Sequence, residues 1–214
     1  VFFGLGYRRT DSSQTTLGGL LSRDYRIDLL STTVQGNWVH EDSAVTNAYA
    51  AFTSNGKRNT SLLQQDAQYA KFEIDVNHLR AASKTWELYL RGYFGISAER
   101  LADTEKIALG GPDSVRGYMP SELRGDQGYQ GTVELRRQFA VANIPGVFSV
   151  FYDAGAARAK GFGGTDSIRS AGVGVNVYPH NNLRVRLEYA HATSDRKSPD
   201  GERQRVWLLM SASF

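Results

Sequence analysis

The chain has 214 residues, of which 41% are hydrophobic and 22% charged, with a formal net charge of +3 and no cysteine. This composition excludes a disordered chain, a disulfide framework and a thiolate metal site. It also excludes a helical membrane protein, because no stretch approaches the roughly 20 apolar residues that a spanning helix needs. The excess of positive charge does not point to nucleic acid, since Lys and Arg are interleaved with Asp and Glu along the chain.

The dominant pattern is alternation with a period of two, broken at intervals by turn residues. The opening VFFGLGYRR reads as a strand over 1–10, so either a signal peptide has been cleaved or the sequence is a fragment of a longer protein, and a start in mid-strand favours the fragment. Less regular strands fit 25–40 and 45–55. In YAKFEIDVNH, Phe72, Ile74 and Val76 oppose Lys71, Glu73, Asp75 and Asn77. In WELYLRGYFGI, Trp86, Leu88, Leu90, Phe94 and Ile96 oppose Glu87, Tyr89, Arg91 and Tyr93. In YQGTVELRRQF, Val133, Leu135 and Phe139 oppose Thr132, Glu134, Arg136 and Gln138. A strand fits 146–158. In SAGVGVNVY, Val173, Val175 and Val177 alternate with Gly172, Gly174 and Asn176. In NLRVRLEYA, Leu183, Val185, Leu187 and Tyr189 alternate with Arg184, Arg186 and Glu188. The closing QRVWLLMSASF puts Val206, Leu208, Met210, Ala212 and Phe214 on one face, with Arg205, Trp207 and Leu209 on the other. This gives about ten strands.

Alternation alone fits a soluble sandwich or a membrane barrel, and three features favour the barrel. Strands of roughly 10 to 15 residues exceed the usual 5 to 6 of soluble proteins. The polar face carries Arg, Lys, Glu and Asp together with Gly and Tyr, as an aqueous lumen would. Tyr25, Trp38, Tyr69, Trp86, Tyr178 and Trp207 stand near strand ends, where an interfacial girdle would lie. Connectors alternate as well. Short turns are predicted at 41–44, 83–85, 141–145 and 178–182, and long loops at 11–24, 56–66, 100–128, 159–167 and 194–203. Pro112, Pro120, Pro145, Pro179 and Pro199 all fall in connectors by this reading. Apolar residues at 173, 175, 177, 183, 185, 187, 206, 208 and 210 are expected to face outward, and Glu134, Asp153, Arg184 and Arg186 inward.

The long connector 100–128 reads as a structureless loop, and such a loop is usually functional. Its centre runs Gly110-Gly111-Pro112-Asp113-Ser114-Val115-Arg116-Gly117-Tyr118, where glycines permit a tight hairpin with an arginine at its tip. This segment resembles the VRGY/F loop of the superfamily of BamA-type insertases and two-partner secretion (TpsB) transporters, and LGGPDSVRGY looks like the TpsB branch. In that superfamily the loop precedes the fifth strand from the C-terminus, and five strands follow it here. Phe151-Tyr152-Asp153-Ala154-Gly155 resembles the F-x-D-x-G element of the same superfamily, and the terminal Phe214 resembles an outer-membrane targeting signal.

The resemblance implies an all-β, antiparallel transmembrane β-barrel. Residues 1–214 would be about ten C-terminal strands of a sixteen-stranded barrel, with the long loop folded into the lumen. The signal peptide, plug helix, POTRA domains and first strands would lie outside this segment. About ten strands cannot close with the geometry of a sixteen-stranded barrel. Closure on itself, edge pairing with another chain or additional strands is therefore expected. The implied function is an outer-membrane pore exporting a large unfolded exoprotein (adhesin, haemolysin or contact-dependent toxin), with no cofactor and no catalysis. The implied partners are a TpsA-type exoprotein, outer-membrane lipid and the barrel assembly machinery. Arg116 would pair with Asp153, with Glu134 as a second acceptor, Gly117 and Tyr118 as loop neighbours, and Gly110, Gly111 and Gly155 as motif glycines. The rival readings are a passive porin, an insertase and a barrel protease. Of the four histidines His40, His78, His180 and His191, only His191 lies near the predicted outer edge, with Asp195 close in sequence.

Overall fold

A computed structural model describes residues 1–16, 21–55, 69–161 and 163–213, without the side chains of 11–16 and 21–27. The strands are β1 (Phe2–Thr16), β2 (Leu21–His40), β3 (Ala44–Asn55), β4 (Ala70–Ala81), β5 (Trp86–Ser97), β6 (Ile107–Leu109), β7 (Leu123–Gly125), β8 (Gln127–Val141), β9 (Ile144–Arg158), β10 (Asp166–His180), β11 (Leu183–Ala192) and β12 (Gln204–Ala212). Ten of them form one antiparallel sheet in the order β1-β2-β3-β4-β5-β8-β9-β10-β11-β12, and β6 and β7 form a separate small hairpin. All ten predicted strands are present. Among the described residues the sheet is open, with β1 and β12 at its two edges.

Register fixes which side chains share a face, because one residue of slip would invert them all. Val173 stands opposite Val150 and Tyr189, and Leu187 opposite Val175 and Leu208. Val173, Leu187, Val206, Leu208 and Met210 are exposed on the outward face, as predicted, and Val150 joins them. On the other face Glu134, Phe151, Asp153 and Glu188 are buried. The inner side is buried because the connector between β5 and β8 folds back against it. The apolar cluster there joins Ile107, Leu109, Val115, Tyr118 and Leu123 of the connector to Ala157, Ile168 and Ala192 of the wall. A smaller cluster joins Leu29, Tyr69 and Leu101. The core therefore lies between wall and loop, not between two sheets. No helix among the described residues is long and apolar enough to cross a membrane.

Several local expectations are corrected. The predicted loop 11–24 is mostly strand, since β1 runs to Thr16 and β2 starts at Leu21. Polar residues there read as a loop, yet strands that project beyond an apolar band carry polar residues on both faces. The connector 100–128 is not structureless. It contains a 3-10 turn at Asp103–Glu105 and the β6–β7 hairpin. Pro145 and Pro179 lie inside β9 and β10, next to their turns. Pro179 sits where the register shifts between Val177 and His180, so its missing donor costs little. Trp207 and Tyr69 do not belong to a girdle: Trp207 bonds the loop from the inner face and Tyr69 is buried. The predicted loop 56–66 and Phe214 lie outside the described residues, as does the side chain of Tyr25.

The short turns 41–43, 82–85, 142–143 and 181–182 lie at one end of the sheet. Ala142 and Asn143 both have positive φ, 50° and 63°, as a two-residue hairpin turn requires.

Candidate functional site: a loop pinned to the inner wall

The connector 98–126 is shaped by its own sequence before it meets the wall. Ile107, Ala108 and Leu109 pair with Gly125, Arg124 and Leu123. Gly110 and Gly111 follow at φ 104° and 95°, in a region that a side chain disfavours, and a Cβ on Gly110 would stand 2.2 Å from the carbonyl oxygen of Met119. Gly111 N–H donates to the Tyr118 carbonyl at 3.0 Å, which closes the tip around Arg116.

Arg116 is 5% exposed and Asp153 0%. The guanidinium meets Asp153 in the two-pronged geometry that favours arginine over lysine, Nε to Oδ2 at 2.9 Å and Nη2 to Oδ1 at 2.9 Å. Its own backbone N–H also donates to Asp153 Oδ2, at 3.2 Å. The third nitrogen, Nη1, reaches Glu134 Oε2 at 3.2 Å and Glu188 Oε1 at 2.9 Å. The guanidinium lies over the Phe151 ring, 3.2 Å from its centroid. Gly172 leaves room for that ring, because a Cβ there would stand 2.4 Å from Phe151 Cζ.

The charges balance locally. Three carboxylates, Asp153, Glu134 and Glu188, face Arg116, while Arg136 Nε donates to Glu134 at 3.0 Å and Arg186 Nε lies 3.5 Å from Glu188. Three guanidinium groups thus offset three carboxylates. Thr132 and Ser170 complete Asp153 with hydroxyl donors at 3.0 and 3.3 Å. Burial by itself would lower the pKa of the Arg116 guanidinium. The hydrogen bonds and charge of Asp153, aided by Glu134 and Glu188, more than reverse that and raise it.

The remaining motif residues fit the loop to the wall. A Cβ on Gly117 would stand 2.6 Å from Ser170 Cβ and 3.0 Å from the Ala192 nitrogen, so the tip touches β10 and β11 through bare backbone. A Cβ on Gly155 would stand 3.1 Å from Leu109 Cδ1 and 3.4 Å from Val115 Cγ2. Tyr118 is buried but bonds neither Arg116 nor Asp153. Its hydroxyl meets Ser194 Oγ at 2.5 Å and donates to the Arg196 carbonyl at 3.1 Å, tying the tip to the connector between β11 and β12.

The sequence reading missed four anchors. Glu188 had only its inward parity as a signal, and Trp207 was assigned to a girdle. Asp126, 1% exposed, accepts Leu101 N–H and Lys160 N–H at 2.7 Å each and fastens the base of the connector. Glu105 pairs with Arg8, and accepts Lys71 Nζ through its backbone carbonyl at 3.2 Å. Of the four histidines, His40 and His78 share Thr46 Oγ1 at 2.8 Å each, near the short-turn end.

A long antiparallel sheet with an apolar outward face and a loop held on its inner side by a buried arginine has the architecture of a β-barrel wall. The family described as "Haemolysin secretion/activation protein ShlB/FhaC/HecB" matches residues 26–177, and the chain belongs to that family. No curated protein matches the sequence. Among solved structures, CdiB from Escherichia coli superposes with a TM-score of 0.72 at 16% identity, covering 89% of this chain and 37% of that one. CdiB from Acinetobacter baumannii superposes with a TM-score of 0.55 at 13% identity, covering 99% and 47%. The chain thus spans less than half the length of either relative, and both likenesses concern the fold. The family match includes Arg116, Glu134 and Asp153 but ends before Glu188 and Trp207.

Proposed function

We propose that residues 1–214 form the C-terminal part of an outer-membrane translocation pore that exports a large unfolded exoprotein by two-partner secretion. The remaining strands of the protein close the barrel, because unpaired strand edges cannot face lipid. Outer-membrane lipid covers the outward apolar face, and POTRA-type domains receive the exoprotein. Connector 98–126 is an internal lock that must release, or shift, for a polypeptide to pass.

The observation that carries this reading is Arg116, buried on the inner wall under three carboxylates from β8, β9 and β11. A passive porin has no need to hold a loop by a charge that is costly to bury. Membership of a secretion and activation family supports the same reading over an insertase.

The test is deletion of the full-length gene followed by complementation, with secreted and surface-exposed proteins compared. Loss of one large exoprotein, restored by complementation, is the expected result. An unchanged exoprotein profile together with loss of small-solute uptake overturns it in favour of a porin.

A further inference from the structure

Beside the lock the inner face gathers further guanidinium groups, and one of them, Arg184, is held by a neutral side chain. Arg91 of β5, Arg136 of β8, and Arg184 and Arg186 of β11 line one cavity of about 150 Å³ with Asp113 and Glu188. Arg136 is committed to Glu134 and Arg91 forks onto Asp75, at 3.1 and 2.5 Å. Arg184 gives both Nε and Nη2 to the neutral oxygen of Asn176, at 3.1 and 2.9 Å. Arg186 Nη2 donates to Asp113 Oδ1 at 2.8 Å and to the Pro112 carbonyl at 3.3 Å. From the facing wall, Arg91 Nη1 donates to the Asp113 carbonyl at 2.9 Å. The Pro112–Asp113 turn is thus gripped between β5 and β11, apart from the buried lock.

The two attachments differ in character. The Asp113 side chain is 79% exposed, against 7%, 0% and 3% for Glu134, Asp153 and Glu188. Replacing one exposed carboxylate on an arginine by another is nearly neutral in energy, whereas stripping a buried one is costly. Arg186 also connects the sites: its Nε is buried and lies 3.5 Å from Glu188 Oε2, an ion pair in which neither atom makes a hydrogen bond. An Arg186 released from Asp113 is free to turn onto Glu188 and draw it from Arg116.

We propose that Asp113 is the resident anion of an arginine-lined site for carboxylates, and that acidic side chains of a polypeptide in the lumen exchange with it. Exchange releases the Pro112–Asp113 turn and, through Arg186 and Glu188, loosens the Arg116 lock. The acidic polypeptide is recognised by Arg184 and Arg186 together, since Arg184 offers a guanidinium held by a neutral partner. This inference rests on the pore reading above.

The test uses the full-length transporter in planar bilayers, with folding checked by heat-modifiable gel mobility. A short Gly/Ser peptide carrying several Glu residues is compared with its Gln counterpart. The Glu peptide is expected to lengthen the time in the high-conductance state, and the Gln peptide not. Asp113→Asn is expected to raise the basal high-conductance fraction about two- to fivefold, the effect of one exposed ion pair, and to blunt the further response. Arg184→Gln is expected to demand more peptide for the same effect. Equal action of the Glu and Gln peptides, or wild-type gating in Asp113→Asn, overturns the site while the conductance itself leaves the pore standing. The pore reading falls separately, on exoprotein export that survives deletion of the gene.

Discussion

The indole Nε1 of Trp207 donates to the backbone carbonyl of Arg116 at 2.7 Å. The last strand of the sheet thereby holds the loop tip by its main chain while β8, β9 and β11 hold its side chain. Trp207→Phe keeps an aromatic ring but leaves a buried carbonyl without its donor, at about 1–3 kcal/mol. The expected result is a lower thermal midpoint of loop release in the full-length protein, read by protease protection, with the barrel still folded.

The four lock residues should not be equivalent. Arg116→Ala leaves Asp153, Glu134 and Glu188 facing only Arg136 and Arg186, and should cost about 3–5 kcal/mol of loop attachment. Asp153→Ala leaves Arg116 with Glu134 and Glu188 and should cost less. Glu134→Gln and Glu188→Gln keep an oxygen acceptor and should cost least. Arg116→Lys should behave closer to Ala than to Arg, since an ammonium cannot span both Asp153 oxygens and Nη1's two acceptors. Protease protection of the loop, measured against outer-membrane insertion, gives the ranking.

Gly117 is set against fixed atoms. Gly117→Ala forces its Cβ to within 2.6 Å of Ser170 Cβ, so the tip must lift, at about 1–3 kcal/mol. Adding Ser170→Gly removes that contact but keeps the 3.0 Å approach to the Ala192 nitrogen, so rescue should be partial. Loop protection in the single and double variants checks this.

Tyr118→Phe removes the contacts to Ser194 and to the Arg196 carbonyl while keeping the buried ring. The expected loss is about 0.5–1.5 kcal/mol. It should show as faster proteolysis in the connector between β11 and β12, with the Arg116 lock intact.

Ten strands and their facing were legible because one residue of slip reverses a whole strand, so alternation carries the answer redundantly. Val173, Val175 and Val177 needed no context. Arg116 and Asp153 were legible through motifs, and Glu134 through parity next to one of them. The extent of β1 and β2 was not, because polar residues such as Ser12, Ser13 and Gln14 read as loop unless the strand is known to outrun the membrane band. Glu188 was not, because inward parity is shared by Arg184 and Arg186. Only the register that places Glu188 beside Gly174, where a Cβ would stand 3.1 Å from Glu188 Cγ, brings its carboxylate to Arg116. Trp207 was misassigned because an aromatic near a strand end looks the same whether it faces lipid or loop.

The most direct measurement of the lock is a double-mutant cycle on Arg116 and Asp153 in the full-length transporter, with exoprotein export as the readout and barrel insertion as the control. If the two residues act as one contact whose integrity transport requires, Arg116→Ala and Asp153→Ala each reduce export while the barrel inserts. The double variant is then no worse than Arg116→Ala alone. Wild-type export by both single variants, or losses that simply add in the double variant, would contradict the account.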